Sequence, residues 1–362
     1  MEEIAAGDEY QLEVVSEPSN VTFKRYKWAS SNPEVAIVDE KTGLVTGISK
    51  GNATITVTAD DFSSTPVFAS CNIGVKIVTP ITGMTFTEDK ELNQLGYGQE
   101  YQIKYTLDPV DATASLLTWT SDNPDMISVD KTGKLKVHTT KAASAVITAS
   151  YGPVVQNVTV TVADGRFWYS LGNGLGNGLD NNWYLDGNNA SVVSSDGNKT
   201  TVQMGSGYRG DLWLARSGKG KIVNVTPADY RYFAIKVGFK SQLVPGKNKP
   251  NGCIKLEIFD DGIKKIGPEY FGTGGDANNR YEILGASEIS TTEPNVLYYD
   301  LQSKYKTVTP TDWNQVFDLS QCKFVIADFP ETAQTYDLYW IRSFKSIEEL
   351  QAFVDSENNT NE

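Results

Sequence analysis

The sequence predicts an all-β protein: two small β-sandwiches in tandem, then a larger jelly-roll-like β-sandwich with one short C-terminal helix. Three observations carry the prediction. The string WASSNPEVAIVD at 28–39 returns as WTSDNPDMISVD at 119–130, and the match already begins at GDEYQL (7–12) against GQEYQI (98–103). Self-similarity over so long a stretch marks tandem copies of one small domain. Short runs of β-branched and aromatic residues, broken by Gly, Pro and Asn, fill much of the chain, as sandwich strands do. With 362 residues, 40% of them hydrophobic and 21% charged, the chain carries enough apolar material for several buried cores.

The first domain is placed at 1–79. Tyr10, Leu12 and Val14 alternate along one strand, ATITVTA at 53–59 forms another, and Ser31-Asn32-Pro33 and Lys41-Thr42-Gly43 make turns. The second, at 80–163, repeats this order and ends on VTVTV at 158–162. A sandwich this small needs one large anchor between its sheets, which assigns Trp28 and Trp119 to the cores. Pro fixes its own φ after a tolerant Asn, and the Gly of Thr-Gly supplies a positive-φ hairpin position. The string W-x-S-x-N-P, then V-D-x-x-T-G, then A-x-I-T-V-x-A resembles the bacterial group 2 immunoglobulin-like (Big) domain. That resemblance implies two immunoglobulin-like β-sandwiches over 1–163, acting as spacers. Copy two departs from it where KAASA at 141–145 stands in place of Gly51-Asn52-Ala53. The strand-like stretch 81–92 of copy two has its counterpart almost wholly before Met1, so a trimmed chain with a targeting segment upstream is expected.

The third domain is placed at 164–362. Composition shifts near Ala163-Asp164-Gly165, and Gly and Asn dominate 172–189. Strands are then expected at 192–193, 200–204, 211–216, 231–240, 253–259, 295–301, 322–329 and 336–343, enough for a two-sheet jelly roll. One helix is expected over 346–355. Ser346 and Glu349 form a capping box, and Ile347, Leu350 and Val354 share the face that packs on the sandwich as a lid. The tail SENNTNE reads as disordered.

Charge and rare residues narrow the chemistry. A net charge of −13 offers no basic field for nucleic acid or anionic lipid. The one histidine, His138, sits in an alternating strand run and is expected to be solvated there, which leaves little room for His-based catalysis or zinc. Cys71, Cys253 and Cys322 lack the spacing of a disulfide framework or metal knuckle, although Cys253 and Cys322 could pair. No run of about 18 apolar residues is present for a membrane span. Asp and Asn cluster at 180–182 and 276–279, where a structural calcium could sit without a recognised calcium motif; no other cofactor and no resident metal are expected.

Five of the seven tryptophans, Trp168, Trp183, Trp213, Trp313 and Trp340, fall in the third domain. An aromatic ring takes the apolar face of a sugar, while Asp, Asn, Arg or Lys beside it bond the hydroxyls. Strand alternation assigns Leu212 and Leu214 to the core, with Arg209, Asp211 and Trp213 facing outward. It likewise leaves Tyr232 and Lys236 outside the apolar face of 231–239, and Lys255, Glu257 and Phe259 outside that of 253–259. These three strands form the first candidate glycan face. The second candidate is the loop bearing Trp183 and Tyr184, and the third is a rim of Tyr270, Phe271, Arg280 and Tyr281. Trp340 alternates with Leu338 and is expected in the core. Solvated strand positions with incidental aromatics, or Trp183 folded back as a plug, explain the same residues without a ligand. A glycosidase needs two carboxyls on one cleft wall. Glu257 and Asp260 are three apart and face opposite ways in a regular strand, so no catalytic residue is assigned.

The ending YDLYWIRSFKS at 336–346, with most of 165–355, resembles the C-terminal domains of surface glycan-binding lipoproteins of starch-utilisation-type systems. The resemblance implies a lipid-anchored cell-surface protein of the outer membrane that captures an extracellular polysaccharide for a partner transporter and catalyses nothing. An adhesin for a host protein and a glycoside hydrolase are the alternatives.

Overall fold

Both copies of the repeated string fold into the same pair of small sheets. In the computed structural model the described residues are 2–17, 25–60, 65–177, 182–185, 190–204, 209–216, 219, 221–240, 253–259, 281–302, 316–327 and 335–359. The chain divides into two compact units, Met1–Met84 with Thr106–Leu116, and Thr85–Tyr105 with Leu117–Glu362. In the first unit one sheet orders Glu2–Ala5, Phe68–Lys76, Gly51–Ala59 and Tyr26–Ser30; the other orders Glu9–Gln11, Leu44–Gly47 and Ala36–Val38. The second copy sets Leu95–Tyr97, Val154–Ser170, Ala143–Tyr151 and Thr118–Ser121 in one sheet and Glu100–Gln102, Lys134–Val137 and Ile127–Val129 in the other. The replacement of the Gly-Asn-Ala edge by KAASA leaves that strand in place.

The repeated residues hold the same contacts in each copy. Trp28 and Trp119 are buried. Gly43 and Gly133 have φ of 75° and 82° and lie under those rings. A Cβ on either would come within 2.6 Å of the indole. The hairpin therefore needs Gly twice over, for its dihedral and for the space. Asp39 Oδ1 accepts from the Thr42 N–H at 2.7 Å and the Thr42 hydroxyl at 2.8 Å. Asp130 Oδ1 does the same with Thr132, at 2.7 Å for each bond. The short polar side chain closes the turn locally.

A 10-stranded sheet, shared by the third domain and the second repeat, packs its third-domain part against a 4-stranded sheet among the described residues. The first runs, in part, Val154–Ser170, Thr335–Phe344, Tyr232–Phe239 and Asn295–Asp300; the second is Tyr184–Leu185, Arg209–Ala215, Gln321–Ala327 and Cys253–Phe259. Their inner faces supply one core, in which Leu212, Leu214, Phe233, Ile235, Val237, Phe239, Leu256 and Ile258 take the places alternation assigns them. The register opposes Cys253 to Ala327 and Cys322 to Ile258. Five residues along a strand separate the cysteines by roughly 16 Å, too far for a disulfide.

One strand runs unbroken through the point where composition shifts. Val154–Ser170 pairs with Ala143–Tyr151 as far as Val162, then with Thr335–Phe344 from Trp168 onward. Tyr97, on a strand of the second repeat, is only 2% exposed and belongs to the third domain's core, stacked on Tyr169 at 5.5 Å. Arg166 bonds Glu91 at 2.8 Å, and the Asn224 N–H donates to the Thr140 hydroxyl at 2.9 Å. The second repeat is thus built into the third domain, where the sequence led us to expect a separate spacer.

Helix α1 spans Ile347–Asn359, four residues past the expected end, so part of the presumed disordered tail is helical. The Glu349 N–H donates to the Ser346 hydroxyl at 3.2 Å, and the Glu349 carboxylate accepts from the Lys345 N–H at 2.7 Å. Leu350 is buried, and Phe353 and Val354 pack with it on Ala234, Val296, Trp340 and Phe344. Capping acts as the sequence implies, and the packed stripe keeps Leu350 and Val354 but takes Phe353 where Ile347 was expected.

Candidate functional site

Trp213 does face away from the sandwich core, but it is 6% exposed and is no open platform. The Lys323 ammonium lies 4.2 Å from its ring centroid and is tied to Asp211 at 2.8 Å. Alternation predicts the face a side chain takes; it does not predict the buried cation–carboxylate pair laid over that face. Trp183 is fully buried against Phe324, ring centroids 5.7 Å apart, so it is the plug and not the lure. Tyr184 is half-buried on a strand opposite Trp213. Tyr281 is half-buried, packed on the core beside Tyr299 rather than standing on a rim. Arg209 and Glu257 occupy strand positions opposite Ala327 and Lys323, and their side chains lie outside the described residues. Tyr270, the loop 276–279 and Asp180 also lie outside them. His138 is half-buried, with Nε2 2.7 Å from the Ser128 hydroxyl and its pKa lowered by burial, not freely solvated.

Tyr232 and Lys236 fall where alternation puts them, on the sheet face away from the sandwich core. That face is not open sheet. Helix α1 packs on part of it, and a bulge reshapes one of its strands. Lys236 pairs with Trp340 and Val237 with Leu338, so Tyr339 is the extra residue on its strand. A bulge of this kind reverses the alternation beyond it. Trp340 therefore shares the outer face with Tyr339, buried under α1 with Phe344 and Phe353, instead of joining Leu338 in the sandwich core.

Beside the helix an open cleft of about 750 Å³ remains, lined by Lys236, Glu293, Tyr339, Glu357 and Asn358, among others. The Tyr339 ring rests over Gly238, 3.5 Å from where a Cβ would stand. It is half-buried, and burial raises the pKa of its phenol. The Glu357 carboxylate organises one wall: it accepts from the Trp340 indole N–H and the Lys236 ammonium, each at 3.1 Å, and lies 3.9 Å from Arg342. Lys236 sits 5.6 Å from the Tyr339 ring centroid. Glu293, Asn198 and Asn358 add further polar groups. The cleft thus offers the half-buried Tyr339 ring, the edge of the buried Trp340, one cation and several carboxyl and amide groups around an open volume. Sequence reasoning reached Lys236 but missed Tyr339, the outward neighbour of Leu338, and Glu357, which sits in the dismissed tail.

No helix among the described residues is long and apolar enough to cross a membrane. No cluster of three or more His, Cys, Asp or Glu able to hold a metal occurs among them.

Residues 2–68 match the family described as bacterial Ig-like domain (group 2). Residues 174–350 match one described as domain of unknown function (DUF4979). The chain therefore carries a group 2 immunoglobulin-like domain at its N terminus and, behind the second repeat, a domain of that uncharacterised family. An uncharacterized protein of Clostridium acetobutylicum is 30% identical over 139 residues. The match covers 38% of this chain, which spans only 13% of that protein's length. Among solved structures, human protocadherin-24 EC1-2 aligns over 45% of this chain and 95% of its own at 12% identity, TM-score 0.20. Domains 4 and 5 of the S-layer protein SbsC align over 42% of this chain and 81% of theirs at 20% identity, TM-score 0.18. At these scores neither likeness bears on function.

Proposed function

We propose that this chain is a non-catalytic cell-surface protein that binds an extracellular polysaccharide in the cleft beside Tyr339. The observation that carries the reading is the Tyr339 ring on the sheet face, flanked by Lys236, Glu293, Glu357, Asn198 and Asn358. A pyranose lays its C–H face on such a ring and bonds its hydroxyls to such neighbours. The N-terminal immunoglobulin-like domain supports an extracellular setting, and the resemblance of residues 336–346 to surface glycan-binding lipoproteins supports a glycan. The same resemblance suggests a lipid anchor upstream and a transporter as partner. Binding at one shallow cleft is expected to be weak, on the order of micromolar to millimolar. Glu357 already accepts from Lys236 and Trp340, which fixes its carboxylate in place as one wall of the cleft.

A glycan array with the full chain tests this directly. Binding to neutral polysaccharide fragments, with no release of reducing ends on incubation, supports it; release of reducing ends would make the chain a hydrolase. The second reading is a protein-binding adhesin, favoured by Val67 and Phe68, 74% and 70% exposed at the start of a strand in the first unit. A blank array would favour that alternative.

A further inference from the structure

A second cleft, of about 430 Å³, opens where the second repeat meets the third domain. The repeat contributes Gly98, Glu100 and Lys136; the third domain contributes Asn173, Asn182 and Arg342 among others. Its size falls in the range of ligand sites, and its chemistry differs from that of the Tyr339 cleft. Glu100 and Lys136 oppose each other across an antiparallel pair. The Glu100 carboxylate is drawn to Lys134 at 2.5 Å, leaving Lys136 at 3.8 Å. Lys136 keeps 43% of its side chain exposed. Asn182 Oδ1 accepts from the Tyr169 hydroxyl at 3.0 Å, which fixes the amide and leaves its two N–H donors.

Arg342 is the most telling member. Its side chain is 14% exposed and makes no direct hydrogen bond among the described residues, its nearest carboxylate being Glu357 at 3.9 Å. Aromatic rings hold it instead, with Trp168 at 4.4 Å and Phe353 at 4.1 Å from the guanidinium carbon. Burial lowers its pKa to about 10. A guanidinium so poorly matched by anions is a standing source of positive potential. Trp168 is no sugar platform here, because Arg166 also lies over its ring at 4.7 Å. The cleft is thus lined by two cations and one carboxylate already claimed from outside, in a chain of net charge −13.

We propose that this cleft binds the carboxylate of an acidic sugar, a uronate unit of a polysaccharide, through Lys136, Asn182 and the field of Arg342. The second repeat then contributes to recognition as well as to structure. The site goes beyond the Tyr339 reading and shares with it only the assumption that the ligand is a glycan.

The test is affinity electrophoresis of the full chain in gels containing polygalacturonate, its methyl-esterified form with the same backbone, or dextran sulfate. Polygalacturonate is expected to retard the protein and the esterified polymer to leave it unretarded, the effect weakening with added salt. Lys136→Ala and Asn182→Ala, at partly exposed positions, should each weaken the retardation at least tenfold. Equal retardation by both forms overturns the carboxylate assignment, as does retardation by dextran sulfate alone. No retardation by polygalacturonate, or retardation that survives both cleft variants, overturns the site. Gels with neutral polysaccharides, run alongside with Tyr339→Ala, report on the Tyr339 cleft separately.

Discussion

Gly133 shows how much one residue decides here. Its φ of 82° and the 2.6 Å that would separate a Cβ from Trp119 act together. Gly133→Ala is expected to cost about 2–4 kcal/mol, because both strain and overpacking apply. Gly152→Ala, at φ 55° with open space around it, meets only the backbone term and should cost about 1 kcal/mol. Urea denaturation of the two variants checks the difference. Carboxylates in the repeats set an acid limit. Asp89 is lowered to about 2, chiefly by the Tyr101 hydroxyl and then by the Glu91 N–H and Lys104. Its folded pKa lies below the unfolded value, so its contribution is full above about pH 4. That contribution is lost as pH falls toward about 2. Asp89→Asn should flatten the fall in melting temperature across that window. Single residues were legible wherever a local rule governs them: Trp28, Trp119 and the Thr-Gly turns follow from spacing alone. Trp213 was not, since its burial depends on Lys323 lying over it; Trp340 is buried as expected, but a bulge sets the face on which it is buried.

At the scale of elements, the alternating apolar positions located the strands that form the third-domain core, and the capping box located α1. What the pattern did not convey is continuity. A turn-like Ala-Asp-Gly and a shift in composition suggested a border, yet the strand Val154–Ser170 passes through it because both of its halves find pairing partners. Such pairing is long-range and leaves no local mark. Tyr97 is the side chain that closes this junction, so Tyr97→Ala should cost about 3–5 kcal/mol by cavity formation. A fragment beginning at 165 would lose Tyr97 and the parallel partner Leu95–Tyr97 altogether. It is expected to unfold at lower urea and less cooperatively than a fragment beginning at 80, and circular dichroism melts of the two would show this. Equal stability would mean that the junction contributes little.

Across the whole molecule, two clefts of opposite character emerge from one acidic chain. The Tyr339 cleft gathers Glu293 and Glu357 with a single cation, and the junction cleft gathers Lys136 and Arg342 around one engaged carboxylate. The sequence pointed to aromatic rings as the place to look, and its outer-face assignment of Tyr232 and Lys236 fell on the sheet that carries the Tyr339 cleft. It could not show that α1 would pack on that face and leave Tyr339 beside the opening. Affinity electrophoresis in a panel of neutral polysaccharides, comparing the full chain with Tyr339→Ala, tests the central claim most directly. At least one polysaccharide should retard the native chain, and the variant should bind it at least about tenfold more weakly, the loss of one aromatic contact worth about 1.4 kcal/mol or more. Native-like retardation of Tyr339→Ala, or free migration of the native chain in every gel, would contradict the account.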